Sequence, residues 1–198
     1  MDSRRSRAEQ KPHLFAGGTL IASGMMYLRL ALLLAMFNRG LVFVLGLPFV
    51  LLASSAILAG WLWSRIPDAD SQGDERKLEP GNPLELRAAL LFAVLFVSMV
   101  ILTHLAITYL GHKGVYALGG IMGVADVDPF ILGIAQSAGH DLAVKIGAVA
   151  IAIASISNNI AKGCYAFGFS DKKTGPQSFA LLGGLSLAGL VPVAWLMW

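Results

Sequence analysis

Six polar residues stand where the surrounding sequence is otherwise suited to the interior of a bilayer. Asp126 and Asp128 interrupt the stretch Val115-Tyr-Ala-Leu-Gly-Gly-Ile-Met-Gly-Val-Ala-Asp-Val-Asp-Pro-Phe-Ile-Leu-Gly-Ile-Ala-Gln-Ser-Ala. Asn158, Asn159 and Lys162 interrupt a second apolar run, beside Ser155 and Ser157, and Arg29 interrupts a third. An aspartate at the centre of a membrane helix costs ~2.5–3.5 kcal/mol on insertion scales, so two are improbable decoration. Carboxylates and amide oxygens at that depth can hold a cation or carry a proton. Lysine and arginine can balance them.

Local chemistry separates the two aspartates. Asp128 precedes Pro129, which disfavours helical torsions at Asp128 and suits the first turn of a new helix. Asp128 therefore reads as an N-cap, and the helix should break between Gly123 and Asp128 and restart at Pro129. Asp126 falls inside the break, where unwound carbonyls could share a cation with it, as in transporters with discontinuous helices. The structural alternative for Asp126 is a salt bridge to Lys162 or Arg29, or a protonated carboxyl in the bundle. Ser155, Asn158 or Asn159, and Lys162 recur at three- and four-residue spacing on one helix face. For the serines this is ordinary interhelical hydrogen bonding, whereas at least one asparagine is expected to face Asp126. Lys162 and Arg29 have an alternative in reaching outward to the interface.

Enzymatic chemistry finds no matching arrangement. His104, Thr108, His112 and His140 show no metal-ligand spacing. There is no Ser-His-Asp set, phosphate loop or helical H-E-x-x-H. The single cysteine, Cys164, excludes an internal disulfide and a thiolate cluster. The chain is expected to be a non-enzyme without cofactor and without nucleic-acid partners, its basic residues flanking membrane segments.

The elements that must position these residues are apolar helices. The 198-residue chain is 56% hydrophobic and 14% charged, with a mean hydropathy of +0.69. The apolar residues fall in blocks of a length that crosses a ~30 Å hydrocarbon core. The reading is an all-α integral membrane protein of about six transmembrane helices, at 14–37, 40–64, 83–110, 114–138, 142–167 and 178–198. Residues 1–13 form a basic cytoplasmic tail. Residues 14–198 form one polytopic domain with a cytoplasmic loop at 65–82. Asn82-Pro83-Leu84-Glu85 is a strong helix start. Lysine and arginine divide nine against four between the two sides, which places both termini in the cytoplasm. Sliding the chain by 133 residues lays the first span on the fifth and Arg29 on Lys162. This is a weak repeat whose copies would run in the same direction.

Three stretches resemble the bacterial membrane family called domain of unknown function 4010: Asn82-Pro83-Leu84-Glu85-Leu86 through Gly111, Gly123-Val-Ala-Asp-Val-Asp128, and Ser157-Asn158-Asn159-Ile-Ala-Lys162. Residues 4–29 are similar to that family's central segment. The resemblance implies an MgtC/SapB-type domain ahead of these helices, which nothing here matches. The chain is thus expected to be the C-terminal part of a longer architecture, completed by a homodimer or an MgtC-like partner. It also hints at cation physiology, by analogy alone. Two functional readings follow. The first is a cation or proton-coupled transport module with its site at Asp126, Asp128, Asn158, Asn159, Lys162 and Arg29. The second is a non-catalytic membrane subunit whose glycine-rich faces at Gly119, Gly120, Gly123, Gly183, Gly184 and Gly189 assemble with a partner.

Overall fold

The structure, a computed structural model, describes residues 11–68, 94, 97–98, 101–102, 105, 108–109, 111–170 and 172–198. Most of the expected third span, its Asn82-Pro83 start, His104, the tail up to residue 10 and most of the 65–82 loop lie outside them. Six helices are described: α1 (Pro12–Phe37), α2 (Arg39–Ser64), α3 (Gly111–Ala125), α4 (Val127–Ser137), α5 (Val144–Phe169) and α6 (Thr174–Met197). Of these, α1, α2, α5 and α6 are long and apolar enough to cross a membrane. They coincide within four residues with the first, second, fifth and sixth expected spans.

Short connections set the packing. Asn38 is a single extended residue (φ −152°, ψ 102°) between α1 and α2, and its side-chain oxygen accepts from the Leu41 amide at 3.0 Å. Its amide group donates to the carbonyls of Ala135 and Ala138, at 2.9 and 2.8 Å, tying this turn to the end of α4. The α1–α2 hairpin then closes on glycine. A Cβ on Gly17 would stand 2.5 Å from the Gly60 carbonyl, and one on Gly24 would stand 3.0 Å from that of Ala53. Small residues of this kind let membrane helices meet backbone to backbone. Between them the helices bury Tyr27, Leu30, Leu34, Leu41, Leu45 and Phe49, with the Tyr27 and Phe49 rings edge-on at 5.3 Å. Outward lie Leu32, Met36, Phe43 and Leu47, as suits lipid contact.

Contacts along the bundle fix direction. Gly40 lies against Val144, joining the starts of α2 and α5. The Trp63 indole donates to Gln177 at 3.2 Å, joining the end of α2 to the start of α6. So α5 runs with α2 and against α1, while α6 runs with α1. Pro12 and Met197 therefore lie at opposite ends of the bundle. This corrects two expectations, that the termini share a side and that the 133-residue repeat is parallel. Nor does packing follow that repeat. Gly17 and Gly24 of α1 meet α2, whereas their offset positions, Ala150 and Ser157, meet α3.

The cause is the expected fourth span, which does not cross. Gly119 meets the Ala150 carbonyl and Gly123 that of Ala154, so α3 rises parallel to α5. Beyond Asp126, α4 returns. Ile134 and Ala138 lie against Gly147, near the start of α5, and the Phe130 ring would be 3.2 Å from a Cβ on Gly119. In a straight helix residues 119 and 130 would be ~16 Å apart along the axis. Thus α3 and α4 form a re-entrant hairpin whose tip lies about midway along α5. Its non-helical backbone is packed in protein, as the bilayer interior requires.

Folding back also moves basic residues. Lys145 joins Arg39 and Lys113 at one end, and Lys172 and Lys173 join Lys11 and Arg65 at the other. With the remaining basic residues left where the sequence puts them, the division becomes ten against three, a sharper bias than before. In a Cys164→Ser background, a membrane-impermeant maleimide should label His140→Cys and Arg39→Cys from one face and Lys172→Cys from the other. Labelling of His140→Cys and Lys172→Cys from opposite faces with Arg39→Cys alongside Lys172→Cys would contradict the hairpin.

Candidate functional site

The hairpin tip is built by the device that turns α1 into α2. Asp126 is a single extended residue (φ −147°, ψ 119°), and its carboxylate accepts from the Asp128 amide at 3.2 Å. Helix α4 begins at Val127, ahead of the Pro129 start read from the sequence. Pro129 sits in its first turn, where a missing N–H leaves no intrahelical bond unmade. The cap is therefore Asp126, and the capping role expected for Asp128 is corrected. Two residues into the turn, Asp128 points away and takes Arg29, Nη2 to Oδ1 at 2.6 Å. Arg29 thus turns inward to the tip, not outward to an interface.

Helix α5 grips the last turn of α3. Ser157 donates to the Gly120 carbonyl at 2.6 Å and Asn158 to the Gly123 carbonyl at 2.9 Å. Gly123 permits this, since a Cβ there would fall on the Ala154 carbonyl. Asn158 is thus the asparagine that faces the hairpin, three residues before Asp126. Asn159 turns to α1 and donates to the Tyr27 hydroxyl at 2.9 Å. Lys162 also faces α1, where its ammonium is 3.2 Å from the thioether sulfur of Met26. Ser155 bonds back to the Ile151 carbonyl of its own helix. The expected single polar face is thereby divided between α3 and α1.

Three buried oxygens are left over. The side-chain oxygens of Asn158, Asn159 and Ser23 have no hydrogen-bond partner among the described residues. Each such group costs ~1–3 kcal/mol when it stays unpaired. The sequence reading did not include Tyr27 and Met26. Tyr27 carried a usable signal, a hydroxyl in an apolar helix two residues from Arg29. Met26 carried none.

Away from the tip, His13 pairs with Asp68 and its ring tilts against Trp63, joining the start of α1 to the end of α2. His112 and His140 lie at the other end of the bundle, at the start of α3 and in the turn after α4. Among the described residues no three of His, Cys, Asp and Glu converge. What the tip offers instead is one capping carboxylate, neutral amide and carbonyl oxygens, and a cluster of Arg29, Asp128 and Lys162.

Comparison with known proteins adds family but no activity. An "Uncharacterized protein" of Aquifex aeolicus (strain VF5) is 32% identical over 93 residues. That match covers 46% of this chain and 40% of the relative, so the chain spans well under two thirds of that protein's length. No solved structure matches. The model of the family described as Domain of unknown function (DUF4010) matches residues 1–170, which include both aspartates of the tip, Asn158, Asn159, Lys162 and Arg29, and the chain belongs to that family.

Proposed function

We propose that this protein is a bacterial inner-membrane transport module that binds a monovalent cation or a proton at the hairpin tip. The observation that carries this reading is the buried, unpartnered Asn158 oxygen held against the end of α3 by the bond to Gly123. The last carbonyls of α3 have no intrahelical partners, and the helix end they form is the negative one. Asp126 uses one carboxylate oxygen as a cap and keeps a second for a ligand. A single carboxylate with neutral oxygens suits a singly charged ion better than a divalent one. Binding at the ends of half-helices near the middle of a bundle is how many secondary transporters hold their coupling ions.

Asp126→Asn tests the reading cleanly, because asparagine caps a helix about as well as aspartate. Reconstituted in liposomes, the variant should lose cation- or proton-driven flux while its thermal midpoint stays close to that of the parent protein. Unchanged flux would remove Asp126 from the site.

A second reading is supported by Gly183 and Gly184 on α6, which meet nothing within 4 Å among the described residues. Gly119, Gly123 and Gly189 are by contrast occupied inside the bundle. In this reading α6 packs on an MgtC-like or other membrane partner, or on a second copy. Mild solubilisation should then yield a stable complex, and a lone chain with intrinsic flux counts against it.

A further inference from the structure

Of the two cations beside the tip, only one is ion-paired among the described residues. Arg29 and Lys162 bring two cations, and Asp128 supplies one carboxylate, bound to Arg29 by a single 2.6 Å contact. Asp126 caps α4 with one oxygen, forms no ion pair with a described residue, and keeps its other oxygen for the cation. No other acidic residue lies within α1 to α6, and the segment 86–110 contains none. Among the described residues no carboxylate lies within ion-pair distance of Lys162. Its partner is a thioether, a weak acceptor for an ammonium with three donors. An uncompensated charge at this depth is costly.

We propose that Lys162 and Arg29 bind a small oxyanion, the carboxylate or phosphate group of the transported solute. The inference rests on the transport reading and names the class of its solute. Three features favour an oxyanion. Arg29 spends one nitrogen on Asp128, and the rest of its planar fork matches carboxylate or phosphate geometry. Its side chain is 57% exposed among the described residues, so the fork can be reached. The positive end of α4 starts at Val127, beside Asp128, and favours negative charge there. The tip then presents a negative helix end to the cation and a positive one to the anion, a few ångströms apart. Asp128 holds the guanidinium in place of the solute and yields part of it when the solute arrives.

The test uses the full chain purified in detergent, with choline acetate and choline phosphate titrated against choline chloride, and sodium chloride as a separate arm. Near saturation, acetate or phosphate should raise the thermal midpoint by about 5–10 °C. Lys162→Gln should lose that rise and keep the sodium response, while Asp126→Asn should lose the sodium response and keep the rise. If Lys162→Gln does not fold, Arg29→Gln takes its place with the same expectation. No rise with either anion in the parent protein, or an undiminished rise in the lysine or arginine variant, overturns the proposal. A rise with phosphatidylglycerol in place of both small anions also overturns it, because the site would then belong to a lipid headgroup. A rise with anions but no sodium response overturns the cation reading and leaves the anion site standing.

Discussion

Replacing Gly123 by valine should detach the hairpin from α5 and lower the thermal midpoint by on the order of 10 °C. The side chain has nowhere to go, since its Cβ would fall on the Ala154 carbonyl and 2.8 Å from the Ser157 Cβ. Backbone cannot yield as a flexible side chain can, so the clash adds to the ~1–3 kcal/mol usual for overpacking. The hydrogen bonds of Ser157 and Asn158 to α3 would go with it, each ~0.6–2 kcal/mol in a membrane bundle. Gly120 is the internal control. Among the described residues a Cβ there meets only Ile153, at 4.0 Å, so Gly120→Val should cost less than about 1 kcal/mol. Equal effects at the two glycines in thermal unfolding would mean that α3 does not lie on α5 in this register.

Asp128→Ala should be the most damaging change among the polar residues. It leaves the Arg29 guanidinium beside the Lys162 ammonium with no carboxylate between them. Removing one partner of a buried pair costs ~3–5 kcal/mol. Arg29 is more than half exposed among the described residues, which lowers the expectation to roughly 2–3 kcal/mol. The double variant Asp128→Ala with Arg29→Met should regain most of that loss, because the stranded charge leaves with its partner. A double variant no more stable than Asp128→Ala would show that the 2.6 Å contact contributes nothing to the fold. Asp126→Asn, which keeps its cap, should by comparison barely change stability.

Much of this was legible in the chain because apolar blocks and punctuation residues report local physics. The four long helices follow from block length, and the break near Gly123 follows from two aspartates and a proline within four residues. What could not be read was whether the chain goes straight on through the break or turns back. That depends on Asp126 adopting the same extended torsions as Asn38, and on Gly119 and Gly123 finding flat carbonyls on α5. These are tertiary facts. The sidedness of everything after the break hung on that one turn, so the direction of the repeat and the side of the C-terminus were misread together. The exchange of roles between the aspartates has a related cause. Both can cap, and the choice went to the one whose neighbour was then aimed at Arg29.

The order in which the chain is made gives the hairpin a further consequence. Helices α3 and α4, with 15 and 11 residues, are each too short to cross a bilayer, and their joining tip carries two carboxylates. They leave the ribosome before α5, the helix that receives α3 through Gly119 and Gly123. Until α5 has entered the membrane there is no carbonyl track for those glycines and no Asn158 to hold the Gly123 carbonyl. The hairpin can therefore settle at mid-depth only once α5 is in the membrane. The polar tip of this protein reaches its place only with the help of a helix made after it.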